Sequence, residues 1–170
     1  LAYETFGDPA GTPMLLIMGL GTQMIAWPDE LCEDLAARGY WVVRYDNRDT
    51  GLSTHMSDLP APSFIDVTLR RRKPPYTIDD MAGDALALMD ELGMNSAHVV
   101  GASMGGFIAQ TVAVAQPRRV RSLTLIMTST GSRRVGNPKP AVFSRLTKRR
   151  VVNDRTTAQQ AAVETFRIIG

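Results

Sequence analysis

Among the residues whose type and spacing could do chemistry, Gly101-Ala102-Ser103-Met104-Gly105 is the most informative run. An apolar stretch precedes it (Ala97-His98-Val99-Val100) and a nearly all-apolar helical pattern, residues 105–116, follows it. A serine between a strand and a helix, with glycines two positions to either side, occupies a tight and strained turn. That turn lifts the hydroxyl above the carboxyl edge of a sheet, where doubly wound folds place their sites. The helix N-terminus adds positive potential there, and the backbone N–H of Met104 points to the same place. An earlier glycine-rich turn, Gly19-Leu20-Gly21, also ends an apolar run and can offer the Leu20 N–H as a second donor to a developing oxyanion. The chemistry expected is nucleophilic attack by Ser103, with Leu20 and Met104 as oxyanion donors and Gly101 and Gly105 making room for the turn.

These residues need elements to hold them. Met14-Leu15-Leu16-Ile17-Met18, Trp41-Val42-Val43-Arg44-Tyr45, residues 97–100 and Leu123-Thr124-Leu125-Ile126-Met127 read as short buried strands, and residues 1–6 are a candidate for one more at the front. Helical patterns lie between them. In residues 27–38, Pro28 suits the first turn, Gly39 is a stop, and Leu31, Cys32 and Leu35 share one face. From a Thr77 cap, Ile78, Met81, Ala82, Ala85, Leu86 and Met89 recur at helical spacing. Helix 105–116 is apolar enough to require burial. Strands alternating with helices predict an α/β fold, a mostly parallel sheet with helices on both faces. Residues 54–76, with four prolines and a basic cluster, read as an irregular excursion.

Composition narrows the classes. The 170 residues are 44% hydrophobic and 21% charged, which suits one domain with a core. Cys32 is the single cysteine, which excludes an internal disulfide framework and a Cys-based metal cluster, and with His55 and His98 the only histidines a His-rich metal site is not expected. No apolar run approaches membrane-span length, so no membrane partner is expected, and no export signal is visible, which makes a cytoplasmic location the default. Residues 1–132 carry 10 basic and 15 acidic side chains, and residues 133–170 carry 9 and 2. This break predicts a division into residues 1–132 and 133–170. The basic segment has only Phe143 interleaved among its first eight cationic residues and reads as a solvated surface, not a nucleic-acid arm. The first residue is Leu1, which suggests a start inside a longer gene product.

The runs Leu15 to Gly21, Arg44-Tyr45-Asp46-Asn47-Arg48-Asp49-Thr50-Gly51-Leu52-Ser53 and Val99 to Gly106 make residues 1–130 resemble the α/β-hydrolase superfamily, in particular its lipase/esterase-type and aclacinomycin-methylesterase-like members. Asp49 stands where glycine is commoner, and Met18 precedes Gly19 where a His-Gly pair is commoner. The resemblance implies that Asp46 and Arg48 shape a loop and are not catalytic. It implies carboxylic ester hydrolysis through an acyl-serine, with a small-molecule ester as substrate and no cofactor. Aspartate-dependent dehalogenation and epoxide hydrolysis are disfavoured because the nucleophile position holds serine. A cofactor-free haloperoxidase or perhydrolase and a non-catalytic small-ligand-binding member are the alternatives.

In this fold the triad runs serine, acid, histidine. No histidine follows Ser103, and Asp154 and Glu164 are the only later carboxylates. Neither follows a strand. His98, five residues before Ser103 on a strand, reads as structural, and His55 as a solvated loop residue. The resemblance therefore implies a partial fold: the strands of the N-terminal half plus, in residues 133–170, the start of a helical cap including a helix at 157–169. Such a chain is expected to be nearly inactive alone. Its last strand would end the sheet with an apolar edge to be covered by missing C-terminal polypeptide or by a second copy in a homodimer.

Overall fold

The structure is a computed structural model that describes residues 1–56 and 74–132. All elements below belong to one compact unit, Leu1–Gly131; a second unit comprises Ser132–Gly170. The excursion is described only at its two ends, and the expected cap with its 157–169 helix lies outside the described residues.

Five strands form one sheet in the order β1-β3-β2-β4-β5: β1 (Tyr3–Phe6), β2 (Thr12–Ile17), β3 (Tyr40–Tyr45), β4 (Ala97–Ala102) and β5 (Val120–Ile126). β1 runs antiparallel to β3, and the other pairs are parallel. Three helices connect them: α1 (Asp29–Ala37), α2 (Ile78–Glu91) and α3 (Met104–Ala115). The alternation of each strand sorts its apolar run onto two faces. Leu15, Ile17, Val43, Tyr45 and Val99 pack with Met81, Ala85 and Met89 of α2 and Ile108 and Val112 of α3. Met14, Leu16, Val42 and Ala102 pack on the opposite face with Trp27 and with Cys32 of α1. Central strands covered on both sides are mainly apolar, which is why β2 and β3, Arg44 apart, show no polar alternation in sequence.

Local chemistry sets the helix ends. Thr77 accepts from the Asp80 N–H, and the Asp80 carboxylate accepts from the Thr77 N–H at 2.7 Å, a reciprocal capping box. Pro28 is the residue before α1 and not inside its first turn. The one-face expectation for α1 is corrected: Cys32 is fully buried, but Leu31 is exposed and Leu35 only half-buried. A nine-residue helix lays a narrow stripe on the sheet. The expectation that residues 105–116 are buried is corrected as well. The helix begins at Met104, buries Gly105, Gly106, Ile108, Ala109 and Val112, and leaves Val114 83% exposed. The last strand starts at Val120, before the apolar run at Leu123, because a strand at the end of the sheet need not bury both faces and tolerates Arg121 and Ser122.

Candidate active site

Four chain segments leave the carboxyl edge of the sheet side by side, after β2, β3, β4 and β5. Ser103 is the single residue between β4 and α3. Its backbone stands at φ 52°, ψ −118°, a conformation that L-residues rarely adopt, and its side chain is exposed. The turn is held from both ends: the Ser103 N–H donates to the Ile126 carbonyl at 2.9 Å, and the Ser103 carbonyl accepts from Gly106 N–H at 3.0 Å. The flanking glycines are sterically required. A Cβ at Gly101 would lie 2.3 Å from the Gly105 carbonyl oxygen, and one at Gly105 would lie 2.2 Å from that of Ile17. Gly106 has the same role against Thr128, whose side chain would be 2.4 Å from an added Cβ.

The turn after β2 lies against this elbow. A Cβ built on Gly19 would be 3.1 Å from Ser103 Cβ and 3.6 Å from Ser103 Oγ. The Gly19 carbonyl accepts from Thr22 N–H at 3.3 Å, and Gly21 takes a positive φ of 61°. A trans peptide sets its N–H opposite its carbonyl. With the Gly19 carbonyl committed to the turn, the Leu20 N–H faces the other way. The Met104 N–H belongs to the first turn of α3, where donors have no partner within the helix.

The loop after β3 braces the β2 connection. Asp46 is buried, and its carboxylate accepts from Met24 N–H at 2.7 Å and from Leu52 N–H at 2.9 Å. Gly51 is obligatory beside it, since a Cβ there would sit 2.0 Å from Asp46 Oδ2. Buried Asn47 donates from Nδ2 to the Met18 carbonyl at 2.9 Å. Arg48 reaches α2, pairing with both oxygens of Asp84 at 2.6 and 2.7 Å while its guanidinium lies 5.2 Å from the centre of the Tyr76 ring. Asp49, in the place where glycine is commoner, takes φ 61°, a region that aspartate tolerates. Its carboxylate accepts from Met56 N–H at 2.6 Å, which holds it below the usual carboxylate range, helped by Tyr76. Burial and the same Asp49 contact push the Tyr76 phenol up to about 12.

Neither histidine is hydrogen-bonded to the serine. His98 bonds Ser122 Oγ at 2.7 Å and meets the Tyr40 ring edge-on, with ring centres 5.6 Å apart. Five residues of strand separate it from Ser103, roughly 16 Å. His55 is exposed and its Nε2 donates to the Gly51 carbonyl at 2.9 Å. The structure thus gathers Ser103, Gly19, Leu20, Met104, Gly101 and Gly105 at one place and leaves both imidazoles engaged elsewhere. Sequence reasoning overlooked Asn47. Its partner is 29 residues away, and nothing local to either residue signals the bond.

Ser103 thus sits at a strained strand-to-helix turn with the glycine turn of a neighbouring parallel strand against it. In comparison with known proteins, residues 12–167 match the alpha/beta hydrolase fold family. The chain belongs to that family. It is 44% identical over 124 residues to rhodomycin D methylesterase DauP of Streptomyces sp. strain C5, a match covering 73% of this chain and 37% of that protein. It is 38% identical over 126 residues to a protein provisionally named carbamate hydrolase RutD in Azorhizobium caulinodans, covering 74% and 40%. A hydrolase of solved structure from Pseudomonas aeruginosa superposes with a TM-score of 0.64 at 26% identity, over 95% of this chain and 53% of that one. The chain thus spans about two fifths of the length of the curated relatives it matches.

Proposed function

We propose that the complete protein is a serine hydrolase of carboxylic esters. The observation that carries this reading is the placement of Ser103 in a φ 52° turn within 3.1 Å of the position a Gly19 methyl would take. Ser103 Oγ attacks the ester carbonyl, the alcohol leaves, and water hydrolyses the acyl-serine. The Leu20 and Met104 N–H groups stabilise the tetrahedral oxyanion, each contributing roughly 3–4 kcal/mol if this site behaves as measured oxyanion donors do. The general base and its acid partner come from polypeptide outside this chain, because no histidine follows Ser103 and the two present are engaged elsewhere. Residues 133–170 are read as the beginning of a cap region, and the division at residue 132 separates that region from the core. The methylesterase relative supports a small ester as substrate.

A fluorophosphonate probe should label Ser103 in the complete protein, and Ser103→Ala should abolish labelling and turnover. Ester turnover retained in that variant removes the reading. The peroxide-dependent alternative uses the same serine and is decided by assaying halogenation with and without peroxide.

A further inference from the structure

The Met18 carbonyl occupies a singular place. It follows directly on the strand that leads into the glycine turn, it accepts the Asn47 amide at 2.9 Å, and an added Cβ on Gly105 would stand 2.8 Å from it. One carbonyl group thus touches the loop after β3 on one side and the first turn of α3 on the other. Of the two N–H groups assigned to the oxyanion, Leu20 lies two residues after Met18 and Met104 one residue before Gly105. Their separation depends on how the Met18–Gly19 peptide is held.

We infer that Asn47 is a positioning residue that sets the oxyanion site by fixing the Met18 carbonyl. The inference rests on the proposed acyl-serine reading. Asn47 is suited to the task. It is buried, its own carbonyl accepts from Thr50 N–H at 3.1 Å, and its side chain is thereby a short, stiff strut. The neighbouring residue Asp46 fixes the next part of the same connection through Met24 N–H, and Arg44 reaches the Trp27 carbonyl beyond it. Asn47 is the member of this series that acts on the peptide adjoining Gly19. Without its donor, the Met18–Gly19 peptide can rotate, and the following Leu20 N–H moves with it. An error near 1 Å in a catalytic donor costs on the order of 10²-fold in rate.

The test compares Asn47→Asp, Asn47→Ser and wild type in the complete protein, with Ser103→Ala as control. Asn47→Asp keeps the shape and replaces the donor by an acceptor facing a carbonyl. Asn47→Ser keeps a donor too short to reach. The expected result is a kcat reduced on the order of 10²-fold for either variant with KM within about threefold, because a donor used chiefly in the transition state has been displaced. Second-order fluorophosphonate labelling should slow in parallel, measured per folded molecule by the native thermal transition. Turnover and labelling within twofold of wild type in either folded variant overturn the inference. So does a loss that follows the folded fraction alone. Activity surviving in Ser103→Ala overturns instead the acyl-serine reading on which it rests.

Discussion

The N–H of Ser103 donates to the carbonyl of Ile126 at 2.9 Å, so the strained residue is pinned to the neighbouring strand of the sheet. Ala102 and Ile126 are also register partners, which makes the elbow a continuation of the β4–β5 pairing. The strain at φ 52°, ψ −118° is maintained by surroundings that leave the chain no other route.

That strain has a measurable size. A non-glycine residue held there costs roughly 1–3 kcal/mol, while glycine adds about 0.4–1 kcal/mol of unfolded-chain freedom. Ser103→Gly should therefore be more stable than Ser103→Ala by about 1 kcal/mol. Urea midpoints of the two inactive variants check this. Equal midpoints, or a more stable alanine variant, would mean the turn is relaxed.

Arg44 is only 3% exposed and pairs with Glu4 and Asp29, which are 44% and 67% exposed, as well as with the Trp27 carbonyl. The two sides of this cluster should respond unequally. Arg44→Met leaves two carboxylates that water can solvate and one orphaned carbonyl, at a cost of about 1–3 kcal/mol. Glu4→Ala with Asp29→Ala strands a buried cation and should cost more, about 3–5 kcal/mol. Chemical denaturation at matched ionic strength measures both, and the reverse ranking would show that the carboxylates contribute little.

Asp49 gives a pH dependence with a defined sign. Its carboxyl is held low in the folded state chiefly by the Met56 N–H. The stability it contributes is therefore fully present above the ordinary aspartate range near pH 4 and is lost as pH falls through the lower folded value. Asn tolerates the same left-handed backbone and still offers an oxygen to Met56. Asp49→Asn should thus flatten the loss of stability as pH falls below about 4, measured as the difference in thermal midpoint from wild type. A pH profile identical to wild type would assign the acid sensitivity to other carboxylates.

At the other end of the sheet, β5 has no partner on its outer side among the described residues, and Leu123, Leu125 and Met127 are exposed. An apolar edge of this kind invites pairing. The 170-residue chain should self-associate with increasing concentration, and Leu125→Lys should shift it toward monomer in sedimentation equilibrium. A wild-type chain that stays monomeric throughout would dismiss the edge as an interaction surface.

Much of this protein is legible from local pattern. Short apolar runs marked β2, β3 and β4 because strands buried on both faces have little polar alternation to obscure them. Thr77 identified a helix start because capping is a contact within a single turn. Gly101, Ser103 and Gly105 announced the elbow because a steric requirement within one turn leaves its mark on adjacent residues. Other features needed the folded chain. Val114 is as apolar as Val112, and only the position of the sheet decided which would be buried. Arg44 lies within an apolar strand, yet its burial is supported by Glu4, Asp29 and Trp27 from separate segments. The nearness of Gly19 to Ser103 and the Asn47 bond to Met18 join residues 84 and 29 positions apart. Short-range sterics and periodicity are written along the chain, whereas the meeting of distant backbone groups is settled only when parallel strands align their carboxyl ends.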